Sequence, residues 1–110
     1  MNPESQFSFD PEELGLLGSV LNEVLNGFSV PDFDRRIGMK RADAENLLKH
    51  VHALGRVAVT LDAHQTRAFR NALYETIREL GDEEFQTRTG YDLSWGEDSL
   101  KKIDRLLGSS

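Results

Sequence analysis

The sequence predicts a mainly helical, small α+β domain, built from one strand–helix–short helix–helix unit that occurs twice. Three observations lead there. Residues 7–54 align without a gap on residues 59–106, giving ten identical pairs that include Asp10/Asp62, Glu23/Glu75, Phe33/Phe85, Arg36/Arg88 and Gly38/Gly90. Chance alignment at ordinary residue frequencies gives roughly three over that length. Each copy opens with a brief alternating apolar segment and continues with apolar residues at helical spacing. Neither short segment has a ladder partner inside its own copy. Pairing the two about a pseudo-two-fold axis as an antiparallel ribbon satisfies both, with helices packed beneath. The expected domain is one unit, 1–110, made of repeats 7–54 and 59–106, with flexible tails at 1–6 and 108–110.

The strands are expected at Phe7–Phe9 and Val57–Leu61. An aspartate follows each and reads as a helix N-cap. Asp10 stands before Pro11 and three residues before Glu13, and Asp62 three residues before Gln65, the spacing of a capping box. Such a carboxylate accepts from backbone N–H groups that have no helical partner, and its loss costs about 1 kcal/mol. The long helix of copy one then carries Leu14, Leu17, Leu21, Val24, Leu25 and Phe28 on one face, and that of copy two Phe69, Leu73, Thr76, Ile77 and Leu80. A short helix follows, Val30–Ile37 in copy one, stopped by Gly38 and in copy two by Gly90, where glycine adopts the left-handed geometry of a helix end. The last helix buries Ala44, Leu47, Leu48, Val51 and Leu54, matched by Leu100, Ile103, Leu106 and Leu107. In copy two, Ser94 and Glu97 have the spacing of another capping box.

Composition narrows the function classes. The chain has 110 residues, 38% of them hydrophobic and 29% charged, which suits one soluble domain with a core of its own. There is no cysteine, which removes thiolate catalysis and cysteine-held zinc. The segment Met1–Gln6 has neither a basic start nor an apolar run, and no stretch approaches the roughly 20 apolar residues of a membrane span. The expectation is a cytoplasmic protein with no membrane partner. A net charge of −6 argues against a general nucleic-acid coat, though not against a local basic patch.

Two segments differ most between the copies, and both are candidate binding sites. In copy one, Arg35, Arg36, Lys40 and Arg41 put four basic residues within seven, across the break between two expected helices. The run Ile37-Gly38-Met39-Lys40-Arg41-Ala42-Asp43-Ala44 resembles the turn and recognition-helix start of bacterial helix-turn-helix transcription regulators, over about twenty residues. The resemblance implies nucleic-acid binding in which Arg41, Asn46, Lys49 and His50 reach bases or phosphates. Against this stand Asp43 and Glu45 on the same helix, and Asp92, Glu97 and Asp98 at the matching end of copy two. In copy two the divergent segment holds Tyr91 and Trp95, the chain's one tryptophan. That aromatic combination is enriched at protein interfaces, and it also serves to close the end of a core.

The retained arginines, Arg36 and Arg88, read either as a matched pair of anion ligands or as partners of retained carboxylates. The second reading pairs them within each copy, with Glu23 or Glu45 in the first and Glu75 or Glu97 in the second. His50 and His52 point about 200° apart on a helix and do not chelate one ion together. No glycine-rich phosphate loop, nucleophile–base pair or carboxylate–histidine motif is present, so no catalytic residue, metal ligand or cofactor is assigned. The expected function is that of a small non-enzymatic module acting through protein–protein interaction, as an adaptor, regulator or inhibitor, monomeric or homodimeric. An acidic surface suits a basic partner. A DNA-binding regulator using residues 35–41 is the alternative.

Overall fold

A computed structural model describes residues 6–54 and 58–108. Two strands and six helices follow in the order β1 (Gln6–Phe9), α1 (Pro11–Asn22), α2 (Phe33–Ile37), α3 (Arg41–Leu54), β2 (Val59–Asp62), α4 (Ala63–Glu79), α5 (Asp82–Thr89) and α6 (Leu93–Gly108). The domain is mainly helical with a two-stranded antiparallel ribbon. In that ribbon Phe7 faces Leu61, Ser8 faces Thr60 and Phe9 faces Val59. Gln6 belongs to β1 and Gly108 to α6, so neither is part of a tail. The remaining expected tail residues, and Val57 of the expected second strand, lie outside the described residues.

Two of the three expected capping boxes form. The Asp10 carboxylate accepts from Glu13 N–H at 2.8 Å while Glu13 accepts from Asp10 N–H at 3.0 Å. Asp62 and Gln65 do the same at 2.7 and 3.1 Å. These boxes turn the chain from ribbon into helix at fixed points, so α1 and α4 leave opposite ends of the antiparallel pair. The third expected box does not form. α6 starts at Leu93, with Trp95 and Gly96 N–H bonded to the Asp92 carbonyl, which puts Ser94 inside the first turn rather than at the cap.

α1 is buried more completely than a single apolar stripe predicts. Leu16 and Val20 are as fully enclosed as Leu14, Leu17 and Leu21, because α1 lies between α3 and α4 and is also crossed by α5. It ends early: over Glu23–Gly27 the backbone widens into one π-helical turn, closed by Phe28 N–H on the Glu23 carbonyl at 3.1 Å. The short helix of the first half, expected from Val30, begins only at Phe33, after Asp32 at φ 58, a left-handed position that aspartate tolerates better than most residues. Gly38 and Gly90 both adopt φ 83 at the ends of α2 and α5, as expected of helix-stopping glycines.

The short helix of each half rests on the long helix of the other, α2 on α4 and α5 on α1. Asn71 of α4 donates its amide N–H to the Ile37 carbonyl at 2.9 Å, and Ser19 of α1 donates to the Thr89 carbonyl at 3.2 Å. One core unites both halves. Phe9 meets Phe69 edge to face with centroids 5.7 Å apart, and Ile37, Phe85 and Ile103 are fully buried around them. Leu48, Leu54, Leu100, Leu106 and Leu107 are only partly buried, since α3 and α6 lie on the outside of the bundle with a single face inward.

Candidate functional site

The basic turn is largely occupied by the fold. Arg41, at the start of α3, donates to the Leu25 carbonyl at 2.8 Å, and its guanidinium lies 4.7 Å from the Phe33 ring centroid. Arg36 faces Glu75 at 4.0 Å. Arg35 bonds Asp32 at 2.6 Å on an exposed surface, and Lys40 is exposed. Arg36 and Arg41 thus contact groups of the fold and Arg35 pairs locally, while Arg35, Lys40 and Arg41 all remain exposed.

The retained arginines join the two halves. Arg88 of α5 meets Glu23 at 2.8 Å and donates to the Gly27 carbonyl at 2.8 Å, while Arg36 of α2 faces Glu75 of α4. The expected partners were right in type, but the pairing crosses from one half to the other instead of staying within each. The cause is the exchange of short helices, which carries each arginine onto the opposite long helix. Glu23 is enclosed, with its side chain 8% exposed, and Gly27 leaves room for the pair: a Cβ there would come within 2.5 Å of the Glu23 carboxylate and 2.8 Å of the Arg88 guanidinium. Glycine at 27 is what permits this close approach.

Tyr91 and Trp95 stand together at the head of α6. Gly90 turns the chain out of α5, and the Thr89 hydroxyl, donating to the Phe85 carbonyl at 2.6 Å, accepts from Tyr91 N–H at 3.2 Å. This fixes the Tyr91 ring across Gly15 of α1, where its hydroxyl occupies the space a Cβ would need. The Trp95 ring lies 5.0 Å from it, tilted by 35°. Both rings are partly buried against the core, so each covers the core edge and also presents a surface. Neither the indole N–H nor the Tyr91 hydroxyl has a hydrogen-bond partner among the described residues. Neither is among the fully buried unpartnered atoms, so both tips reach solvent.

Trp95 borders a surface depression of about 350 Å³ whose charged lining is Asp10, Glu12, Glu13, Asp98, Lys102 and Arg105. Glu13 is held twice, by Asp10 N–H and by Lys102 at 2.6 Å. Glu12 and Asp98 are exposed and have no partner among the described residues. Sequence reasoning reached the aromatic pair but missed these two carboxylates, because they meet only where the first turn of α1 is tied to α6 by Glu13 and Lys102.

His50 and His64 line one depression of about 410 Å³ with Asp43 and Asn46, and His64 Nε2 lies 3.0 Å from the Gly38 carbonyl. His52 lies elsewhere, against Gly18. No three histidine or carboxylate groups converge to hold a metal ion among the described residues, and none of the described helices is long and apolar enough to cross a membrane. On the outer face of α4, Tyr74 is exposed with the Arg70 guanidinium 5.1 Å from its ring centroid. Comparison of the chain with protein-family models, curated proteins and solved structures finds no match.

Proposed function

We propose that this protein is a small, non-enzymatic cytoplasmic module that works by binding another protein through the face carrying Tyr91 and Trp95. The observation that carries the reading is the half-buried aromatic pair set at the rim of a depression with unpaired carboxylates. Large rigid rings of this kind supply the anchoring contacts of protein interfaces at low entropic cost. The acidic balance of the chain favours a basic partner and fast, electrostatically steered association.

We also read the two halves as copies about an approximate two-fold axis. Support comes from the ribbon register, the crossed Arg36–Glu75 and Arg88–Glu23 pairs, and the matching Asn71 and Ser19 bonds, whose members correspond in the sequence repeat. On this reading the retained residues serve assembly, and the divergent heads are where function resides.

Affinity capture from native extract, with and without nuclease, tests the proposal. The expected result is a stoichiometric protein partner that survives nuclease and is lost when Trp95 is replaced by alanine in a variant shown to remain folded. Recovery of nucleic acid released by moderate salt, and lost on neutralising Arg35 and Lys40, overturns it in favour of a DNA-binding regulator.

A further inference from the structure

The sequence repeat supplies an internal comparison for the Trp95 depression. Its counterpart in the first half is the depression lined by Asp43, Asn46, His50 and His64. At matching places, Asp43 becomes Trp95, Asn46 becomes Asp98 and His64 becomes Glu12. The scaffold is shared, whereas the lining has changed from polar and nearly neutral to aromatic and acidic. Of the charges in the second depression, Glu13 and Lys102 neutralise each other and Asp10 is committed to capping α1. Arg105 is engaged as well. The unpaired carboxylates of Glu12 and Asp98 remain, beside an indole.

From this arrangement we propose that the depression receives an arginine side chain from a basic segment of the partner protein, an inference that rests on reading Tyr91 and Trp95 as the partner-facing surface. Carboxylates beside an aromatic ring are what a guanidinium takes: its planar fork bonds oxygen acceptors while its face stacks on the ring. An ammonium is a point charge with a firmer hydration shell, so arginine is preferred to lysine here. The lone tryptophan makes the site directly observable, since all indole fluorescence of the chain comes from position 95.

The experiment titrates the full chain with a capped tetra-arginine peptide at low ionic strength and follows tryptophan emission. Tetra-lysine and tetra-citrulline peptides are run in parallel. A saturable change with tetra-arginine is expected, several-fold weaker with tetra-lysine and absent with tetra-citrulline. The double variant Glu12→Gln/Asp98→Asn loses about tenfold in affinity, or about 1.4 kcal/mol, while Asp43→Asn in the histidine-lined depression changes nothing. No saturable response, or a response that the double variant leaves unchanged, overturns the arginine site. Partner capture by the same double variant separates the two proposals. Capture that needs Trp95 but is indifferent to Glu12 and Asp98 removes the arginine and keeps the protein-binding face, whereas capture that ignores Trp95 removes both.

Discussion

Replacing Arg88 by alanine leaves the Glu23 carboxylate enclosed without its cation and also removes a donor from the Gly27 carbonyl. Arg88 and Glu23 are 2.8 Å apart, with side-chain exposures of 34% and 8%. Breaking a fully buried pair by removing one partner costs about 3–5 kcal/mol, and the third of Arg88 that meets water reduces this to about 2–3 kcal/mol. The matching change, Arg36→Ala, breaks a contact of 4.0 Å that has no second hydrogen bond, and is expected to cost about 1 kcal/mol or less. Urea unfolding, monitored by far-UV circular dichroism with unchanged m-values, measures both. A double-mutant cycle with Glu23→Gln supplies the control: Arg88→Ala should cost at least about 1 kcal/mol less when residue 23 is already neutral. Glu75 is nearly as enclosed as Glu23, 12% against 8%, so equal losses for Arg88→Ala and Arg36→Ala, or a cycle with no coupling, would refute the reasoning that the short contact and the second hydrogen bond set the cost.

Other substitutions test the packing. The Thr66 hydroxyl is fully buried and has no hydrogen-bond partner among the described residues, so Thr66→Val, similar in shape, is expected to raise stability by about 1 kcal/mol in urea unfolding. Gly96→Ala places a Cβ 2.8 Å from Cζ of the fully buried Phe85. Overpacking costs about 1–3 kcal/mol and exceeds the gain of about 1 kcal/mol in helix propensity, so the variant should melt below the parent. Asp10→Ala and Asp62→Ala each remove half of a capping box and should each cost about 1 kcal/mol, nearly additively, because the two caps share no partner.

Much of the fold was legible because its signals are local. The Asp10–Pro11–Glu13 and Asp62–Gln65 patterns specify helix starts through neighbours in sequence, and Gly38 and Gly90 mark stops through backbone geometry alone. The ribbon followed from the unpaired strands. What escaped the sequence depends on which element lies against which. Arg36 and Arg88 carry no mark of the helix they will meet, so local reasoning paired them within each half and the fold crossed them. Ser94 had the spacing of a cap, but the turn after Gly90 brings Asp92 to the helix start two residues earlier. The π-helical turn at Glu23–Gly27 keeps the apolar pattern of an α-helix, so periodicity does not reveal it. At the site, Tyr91 and Trp95 stood out by residue type. Glu12 and Asp98 gain meaning only once the first turn of α1 meets α6 through Glu13 and Lys102.

The central claim is that the partner binds at Trp95. The single indole N–H resonance of the ¹⁵N-labelled chain reports that position without ambiguity. On addition of the captured partner, the account predicts that this resonance shifts or broadens together with the amides of Tyr91 and Glu12, while those of Asn46 and His50 stay in place. An unmoved indole accompanied by changes confined to residues 35–41 would contradict it.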